Sequence, residues 1–435
     1  MKSSQSLPLL RNTSAGAAHS KFPPRALLWT RVLNSLLIQM ENLKPSLSTP
    51  PPSLGQLHAT PAQFSAPARI NLLGEHTDYT GGFVLPMAIN FATVAKISPR
   101  SDGRYAFAST RFPETFETGP DDRSAARGIW TDYPVGVLRM LQERGIFPPG
   151  FDLLLDSNVP LASGLSSSAS VEVASAVAML AHTGVTLPEK EFALLCQRAE
   201  NQYVHSPSGI MDQFVVSAGH AGHAMLLDTR ALTYDLIPLI PHTHIVGCNS
   251  MVKHSVATGE YGVRRHQVEA GQAAIHAAFP HIEMLRDATL ADLEACRDKM
   301  SPESFKRCRH IITENARVLA AREVMSIGDS VRFGEILLAA HASVRDDFAA
   351  SCEEIDFLVD TAVSIDDCFG ARITGGGFGG CTVNLVKDEA AESFTAELRK
   401  RYFERYNIVA DTFICEAVDG ALLSNAAALA GASKP

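Results

Sequence analysis

The sequence predicts an α+β fold with two lobes, and three observations support this prediction. Strand-like runs and amphipathic helical stretches are mixed, without the strict strand–helix alternation of a doubly wound sheet. The second half is mainly helical but closes with three strand-like runs. A boundary near residue 240 therefore divides the ordered chain into comparable lobes, 59–240 and 241–435.

In the first lobe, short strand-like runs flank a polar insert, Gly74 to Gly82, where turn-forming residues replace apolar ones. Elsewhere, period-two alternation of apolar residues indicates strands and helical spacing indicates helices. We expect strands at Thr93–Ser98, Phe151–Asn158 and His223–Thr229. We expect helices at Tyr133–Arg144, in Val159–Leu180 after a loop, at Glu189–Val204 and shortly after Gly209.

The second lobe begins with a strand at His244–Ser250. Helical spacing then predicts four helices, at Glu260–Phe279, Pro302–Met325, Val331–Ala340 and Ile355–Val363. The closing strands are expected at Ala371–Thr374, Cys381–Val386 and Thr412–Val418, around a helix at Glu389–Tyr406.

Composition excludes several classes of protein. Hydrophobic residues make up 46% of the 435 residues and charged residues 20%, which is typical of a soluble globular protein. The net charge of −9 argues against a nucleic-acid-binding surface. No run approaches the roughly 18 apolar residues of a transmembrane helix, so we expect no membrane partner. The eight scattered cysteines lack a CxxC pair, which favours reduced thiols in a cytoplasmic enzyme over disulfides or a zinc site.

The first 58 residues differ from the rest of the chain. They carry six Lys or Arg and one acidic residue, hence +5, and they include the proline-rich run Ser48–Ser53. A basic, serine-rich start imitates a transit peptide. We instead expect a disordered N-terminal extension, or a protein that truly begins at Met40.

The stretch Val159–Leu180 is the first candidate site. Small residues around Gly164 lead into three serines, Ser166–Ser168, and then into an apolar helix. The serine hydroxyls are placed to cap the free amides of the first helical turn. Such a helix start also attracts anions, phosphate above all. The stretch is therefore either a capped helix start or a phosphate site.

The polar insert is the second candidate site. Glu75, His76 and Asp78 fall within four residues, and Arg69 precedes Glu75 by six. Packing explains them poorly, because such groups are seldom buried without partners. A solvated turn and a metal site stay open, although the spacing lacks the i, i+4 histidines of a helical zinc motif. Carboxylates and an imidazole could instead accept the hydroxyl hydrogens of a sugar.

A glycine-rich run, Ile373–Gly380, contains a GxGxxG match. A dinucleotide-binding fingerprint must open a helix, whereas a strand-like run follows here, so that interpretation fails. The run is either a tight hairpin or a backbone segment packed close to the loop Ala162–Ser168, which we call the serine loop. A P-loop is excluded as well, because the dipeptide Gly-Lys does not occur.

Three further residues carry little signal by themselves. Asp212, in GIMDQ, is typical of a helix cap. Glu200 looks like a surface carboxylate, and Tyr261 like a half-buried aromatic residue beside a basic patch.

Taken together, the polar insert, the PxxxGLSSSAS loop and the GGGFGG turn resemble, in that order, the three motifs of the GHMP small-molecule kinases. Within that superfamily, RINLLGEHTDYTGG is similar to the galactokinase signature, and GIMDQF and NSMVKHSVATGEYGVRR are similar to its companion motifs. The resemblance covers about Ala66 to Val418. It implies the two-lobed GHMP-kinase architecture, with the active site between the lobes.

The family's reaction is phosphoryl transfer from ATP, with Mg²⁺, to the C1 hydroxyl of α-D-galactose, the first committed step of galactose catabolism in the Leloir pathway. The resemblance makes Asp212 the catalytic base and Arg69 its neighbour, which stabilises the ionised carboxylate and the transferring phosphoryl group. The sugar-binding residues would be Glu75, His76, Thr77, Asp78, Gly209 and Tyr261. The ATP-binding residues would be Ala162, Ser163, Gly164, Leu165, Ser166, Ser167 and Ser168. Ser168 and Glu200 would hold the metal ion, as a hydroxyl and a carboxylate that suit a hard cation.

Three positions depart from the family pattern: Ala68 and Ser163 stand where glycine is common, and Ser208 where cysteine is frequent. None of them removes a charged participant. The expected partners are galactose and ATP, without nucleic acid or membrane, in a cytoplasmic monomer or weak homodimer. A kinase for N-acetylgalactosamine or arabinose is the alternative closest in chemistry. A non-catalytic sensor of galactose and ATP is the alternative of another class, and the intact serines and Asp212 disfavour it.

Overall fold

The computed structural model describes residues 61–161, 163–253 and 257–432, so the predictions for residues 1–58 and for Ala162 lie outside the described residues. The first half builds a five-stranded sheet of order β1-β3-β6-β4-β5, in which β4 and β6 are parallel and the other pairs antiparallel. Its strands are β1 (Ala62–Asn71), β3 (Pro86–Pro99), β4 (Tyr105–Ser109), β5 (Phe116–Thr118) and β6 (Phe151–Ser157).

Four helices of the first half share a hydrophobic core with this sheet. They are α1 (Asp132–Glu143), α2 (Ser167–Thr183), α3 (Glu189–Arg198) and α4 (Met211–Ala218). Three further strands, β2 (Phe83–Val84), β7 (His223–Asp228) and β8 (Thr233–Pro238), form a second sheet. This sheet is antiparallel and has the order β2-β7-β8.

The second half builds a four-stranded antiparallel sheet of order β10-β11-β9-β12. Its strands are β9 (Thr243–Lys253), β10 (Cys368–Thr374), β11 (Gly379–Lys387) and β12 (Asp411–Cys415). The helices are α5 (Ala257–Ala278), α6 (Leu290–Ala295), α7 (Pro302–Ser326), α8 (Ser330–Ser343), α9 (Glu353–Val363), α10 (Ala391–Tyr406), α11 (Ala421–Ser424) and α12 (Ala426–Ala432).

Hydrophobic packing joins the two halves. A third core contains residues of both, among them Ile70 of β1, Phe333 of α8 and Val383 of β11. A segment near the C-terminus also contacts the first sheet through Asn425. Its side-chain oxygen accepts from the Ser65 amide at 3.1 Å, and its side-chain nitrogen donates to the Ser65 carbonyl at 2.8 Å. The boundary near residue 240 stays a prediction.

The α+β prediction is confirmed, and so are the expected helices and strands of the described residues, within a few residues at their ends except at β3. That strand begins at Pro86, seven residues before the expected Thr93. One expectation is wrong: Glu189–Val204 is not a single regular helix, because α3 ends at Arg198 and a π-helical turn, Ala199–Val204, follows. Such wide turns are frequent at functional sites. All eight cysteines lie in the described ranges and are free. Within those ranges, every helix is too short or too polar to span a bilayer.

Candidate active site

An ion pair between Arg69 and Asp212 lies at the centre of the site. Arg69 belongs to β1, and Asp212 lies in the first turn of α4. The guanidinium donates from Nε to Oδ1 and from Nη2 to Oδ2, both at 2.7 Å, and its Nη1 donates to the Gly164 carbonyl. The Ser166 hydroxyl donates to the same carboxylate. Asp212 is therefore oriented by donors from β1 and from the serine loop.

A cavity of about 180 Å³ opens beside this pair. The structure brings seven of the predicted residues together in its wall: Arg69, Glu75, His76, Asp78, Gly209, Asp212 and Tyr261. Ser208, Met211, Gly375 and Gly376 complete the lining. The volume lies below the roughly 300–1,000 Å³ of drug-sized sites, and most of the lining can form hydrogen bonds, so a small polyhydroxylated ligand suits the cavity.

Asp78 and Gly209 meet across this cavity wall. A Cβ on Gly209 would lie 1.9 Å from Asp78 Oδ2, so only glycine allows this approach. Burial, and next the charge of Asp212, raise the pKa of Asp78 to about 7. The Asp78 carboxyl therefore holds its proton more tightly than a solvent-exposed aspartate does.

His76 is held in an unusual conformation. Its φ is +65°, its ring stacks on Phe348 with a centroid distance of 3.9 Å, and the Tyr79 hydroxyl lies 3.3 Å from its Nδ1. Its Nε2 is buried and has no hydrogen-bond partner among the described residues. Burial lowers the pKa of His76, so the ring is neutral at physiological pH. A neutral ring nitrogen without a partner is suited to a ligand hydroxyl.

Two predicted sugar-binding residues have their polar groups engaged by the protein. The Glu75 carboxylate forms a buried ion pair with Arg372 and accepts from the Gly375 amide at 3.1 Å. The Thr77 hydroxyl donates to the carbonyls of Gly74 and Phe83, at 2.8 and 2.6 Å. Thr77 is absent from the cavity wall and instead stabilises the turn.

The serine loop and the glycine-rich run approach each other backbone to backbone. A Cβ on Gly375 would lie 3.2 Å from the Gly164 carbonyl oxygen, and a Cβ on Gly380 3.3 Å from the Ser163 carbonyl oxygen. The second of the two alternatives for the run, close packing on this loop, is therefore confirmed. Ser163 is buried, and its hydroxyl donates to the Pro160 carbonyl at 2.8 Å. Leu165 is also buried, and its backbone carbonyl accepts from the Arg69 amide at 3.2 Å.

The capping expectation for the first serine is wrong. Ser166 precedes α2 with φ +58°, and its side chain makes no capping bond, because the hydroxyl donates to Asp212 instead. The amides of the first turn of α2 are thus not capped by this side chain, and the helix N-terminus keeps its capacity for anions.

A second cavity, of about 220 Å³, contains Ser167 and Ser168 in its wall. Most of the surface of this cavity is apolar and aromatic. The sequence did not indicate most of the residues that form the wall, among them Arg111, Phe112, Trp130, Tyr133, Leu155 and Leu161. The rings of Phe112 and Trp130 are nearly parallel, with centroids 6.0 Å apart. They come from separate loops, so no local pattern could have linked them. A flat aromatic ligand next to a phosphate group suits this cavity.

Glu200 lies in the π-helical turn and is buried. Its Oε2 accepts from Ser208 Oγ at 2.8 Å and from Gln213 Nε2 at 2.7 Å, and the Ser168 hydroxyl also hydrogen-bonds to this carboxylate. Gln213 Nε2 further donates to the buried Glu172 at 3.0 Å. Burial raises the pKa values of both Glu200 and Glu172. Sequence reasoning missed Gln213 and Glu172.

The donors Ser168 and Glu200 fit Mg²⁺. In the part of the chain that the structure describes, no three His, Cys, Asp or Glu residues gather into a metal cage. One carboxylate with one hydroxyl is enough for Mg²⁺, which keeps several waters and takes further oxygens from phosphates.

Comparison with known proteins agrees with this geometry. Family profiles match at residues 56–99 (galactokinase galactose-binding signature), 132–220 (GHMP kinases N terminal domain) and 317–404 (GHMP kinases C terminal). Galactokinase of Roseiflexus sp. (strain RS-1) is 40% identical over 357 residues, covering 82% of this chain and 91% of the relative. Homo sapiens galactokinase is 39% identical over 368 residues, with the same coverage of both chains.

Solved structures extend the comparison. Lactococcus lactis galactokinase complexed with galactose has a TM-score of 0.81 and 31% identity, covering 89% of this chain and 99% of that one. A mevalonate kinase has a TM-score of 0.60 at 17% identity, covering 82% and 99%, and so shares the fold.

Proposed function

The chain belongs to the galactokinase family of GHMP kinases and is an enzyme of that family, and we propose that it phosphorylates α-D-galactose with ATP at the C1 hydroxyl. The products would be α-D-galactose 1-phosphate and ADP, in the first committed step of galactose catabolism (the Leloir pathway). We further propose a cytoplasmic location and two lobes divided near residue 240.

One observation carries the proposal: Asp212 belongs both to the wall of the small polar cavity and to the hydrogen-bond network of the serine loop. A base in that position can reach a sugar hydroxyl on one side and adjoin a phosphoryl group on the other. Phosphoryl transfer depends on such positioning more than on covalent chemistry.

In the proposed reaction, Asp212 accepts the proton of the C1 hydroxyl as the oxygen attacks the γ-phosphorus. The bond from that phosphorus to the bridging oxygen breaks, and ADP leaves. Arg69 orients the Asp212 carboxylate through two hydrogen bonds and places a positive charge next to the reacting groups. Removal of the proton makes the sugar oxygen the stronger nucleophile.

The sugar would lie in the cavity of about 180 Å³. Asp78 supplies acceptors, and His76 supplies a ring nitrogen without a protein partner among the described residues. Gly209 leaves room for Asp78, and the Tyr261 ring closes the wall, with its centroid 5.6 Å from that of His76. Glu75 would contribute mainly through its ion pair, which fixes the segment against Arg372.

The nucleotide would span the serine loop and the second cavity. The amides at the start of α2 and the backbone of Gly164 suit the phosphates, and the cavity that contains Trp130 and Phe112 suits the adenine ring. Ser168 and Glu200 would hold Mg²⁺. When bound, the ion neutralises charge on the phosphate oxygens.

A coupled assay of ATP consumption over a panel of monosaccharides tests the proposal, with NMR identification of the phosphorylated carbon. Phosphate at C1 of galactose supports it. Preferential turnover of N-acetylgalactosamine or arabinose would contradict the assigned substrate, and galactose binding without turnover of any sugar would indicate a sensor.

A further inference from the structure

The sugar-binding segment, Gly74–Phe83, has a backbone that its sequence alone does not favour. Gly74, His76 and Gly81 have φ angles of +98°, +65° and +67°. Glycine adopts these values freely. For His76 the left-handed region is unfavourable, and it persists only where the surrounding structure imposes it.

One helix of the second half contacts this segment at three backbone groups. Glu314 Oε1 accepts from the Gly74 amide at 2.8 Å, and Asn315 Oδ1 accepts from the Phe83 amide at 2.8 Å. Between them, His310 Nε2 lies 3.1 Å from the Glu75 carbonyl oxygen. The three residues are at most 5% exposed, and His310 and Glu314 lie one turn apart on the same face of α7.

The His310 contact has a defined polarity. A carbonyl oxygen can only accept, so Nε2 carries the proton and Nδ1 accepts from the Ser343 hydroxyl, 2.8 Å away. Burial lowers the pKa of His310 to about 4, which keeps the ring neutral. Both ring nitrogens are therefore satisfied, and the ring is fixed between α8 and the sugar-binding segment.

The same ring also supports His76 from the side. Phe348 packs against His310 with centroids 5.0 Å apart and stacks on His76 at 3.9 Å. His310 thus fixes the peptide immediately before His76 and, through Phe348, the ring of His76. His310 itself is not part of the cavity wall.

We propose that His310 is a positioning residue for sugar binding, which holds the Glu75 carbonyl so that His76 keeps its left-handed conformation and lines the cavity. This inference rests on the proposed function and adds to it a determinant of galactose affinity outside the cavity.

The test compares His310→Leu, which removes both hydrogen bonds, with His310→Gln, whose amide can still donate to the carbonyl. Galactose affinity is measured by calorimetry without ATP, and KM and kcat by the coupled assay. For His310→Leu we expect the Kd and KM for galactose to rise about tenfold, the usual cost of an unpaired buried carbonyl. The KM for ATP and kcat at saturating galactose should change by less than about threefold. His310→Gln should recover most of the affinity.

His182→Leu is the matched control, because this partly buried histidine of α2 packs near Phe151, remote from the sugar-binding segment. It should leave the galactose KM unchanged. If His310→Leu does not fold, Ser343→Ala removes the Nδ1 partner alone and should raise the galactose Kd about threefold.

A folded His310→Leu protein with galactose Kd and KM within twofold of the wild type would overturn the inference. So would a loss of kcat with unchanged galactose affinity, or, where Ser343→Ala is the variant used, an unchanged Kd. Failure of the proposed function looks different, because the wild type itself would then not phosphorylate galactose. Calorimetry would still report whether His310 affects sugar binding.

Discussion

Arg69 and Asp212, 143 residues apart in sequence, form a two-point ion pair with both N–O distances at 2.7 Å. A planar guanidinium matched to a carboxylate fixes the orientation of both groups. Ser166 adds a third donor to the carboxylate from the serine loop. The Asp212 carboxylate therefore connects three segments: the strand β1, the start of α4 and the serine loop.

Asp212→Asn should lower kcat about 100-fold or more, because an amide cannot accept the hydroxyl proton. The coupled assay measures the rate, and calorimetry should show galactose affinity within about fivefold of the wild type. Asp102→Asn is the control, since Asp102 forms a comparable two-point pair with Arg100 at an exposed turn. A kcat of Asp212→Asn near that of the control would remove Asp212 from the chemistry.

Gly209→Ala should weaken galactose binding, because the new methyl group would overlap Asp78 Oδ2 and push the carboxylate from its place. We expect a rise in the galactose KM of about tenfold or more, as for loss of a buried hydroxyl contact. Gly119→Ala introduces the same methyl group into open space and serves as the control. Equal galactose KM values for the two variants would show that the approach to Asp78 is not needed.

The sequence predicted the elements with strong periodicity and most residues of the cavity wall. Asp212 and Arg69 were assigned by resemblance, and the structure pairs them directly. The sequence did not predict which side chains from distant segments contact one another. Glu75 meets Arg372 from β10, and neither residue's neighbours in sequence indicate the other. The role of Thr77 was not predicted either, because its hydroxyl donates to two backbone carbonyls and does not line the cavity.

Local patterns also missed the apolar cavity and the π-helical turn. Phe112 and Trp130 lie in separate loops and are brought together by the fold, so their spacing carries no periodic signal. The wide turn at Ala199–Val204 retains a helical pattern of apolar residues, and a regular helix was therefore expected. Glu200 lies in this turn, where its carboxylate accepts from Ser208 and Gln213.

Asp78 should give activity a pH dependence, because its pKa of about 7 leaves it largely protonated below that pH in the free protein. A protonated carboxyl offers a weaker acceptor, so kcat/KM for galactose should fall as the pH decreases below about 7. Asp78→Asn should have a lower kcat/KM and should lose this limb of the profile. An identical acidic limb in Asp78→Asn would assign it to another group.

The raised pKa of Asp78 also predicts that the thermal stability of the fold depends on pH. The folded state raises this pKa from 3.8 to about 7, so it binds the proton more tightly than the unfolded state. Asp78 therefore destabilises the fold progressively as the pH rises from about 4 to 7, and the full effect is present above that range. Asp78→Asn should raise Tm more at pH 8 than at pH 5. Asp156→Asn, an exposed position on β6, is the control. Equal Tm shifts of Asp78→Asn at the two pH values would contradict the assignment.

Glu200→Gln should weaken the binding of Mg²⁺, because it removes the negative charge of the proposed metal-binding pair. We expect a Mg²⁺ requirement about tenfold higher, as is usual for loss of a supporting charge at a metal site. Calorimetry should show weaker binding of ADP with Mg²⁺ and little change without it. Glu189→Gln, at the start of α3 with Tyr234 as its partner, is the control. An unchanged Mg²⁺ requirement would exclude Glu200 as a ligand.

Trp130 should report nucleotide binding directly. The chain has two tryptophans, Trp29 and Trp130, so Trp29→Phe leaves a single fluorophore in the wall of the apolar cavity. Adding ADP with Mg²⁺ should change its emission to a saturable limit, whereas galactose alone should not. Trp130→Ala should raise the KM for ATP about tenfold, the size of one base–aromatic stack, and leave the galactose Kd unchanged. Emission that responds to galactose but not to ADP would contradict the assignment of this cavity to adenine, because Trp130 lines this cavity and the two cavities share no lining residue.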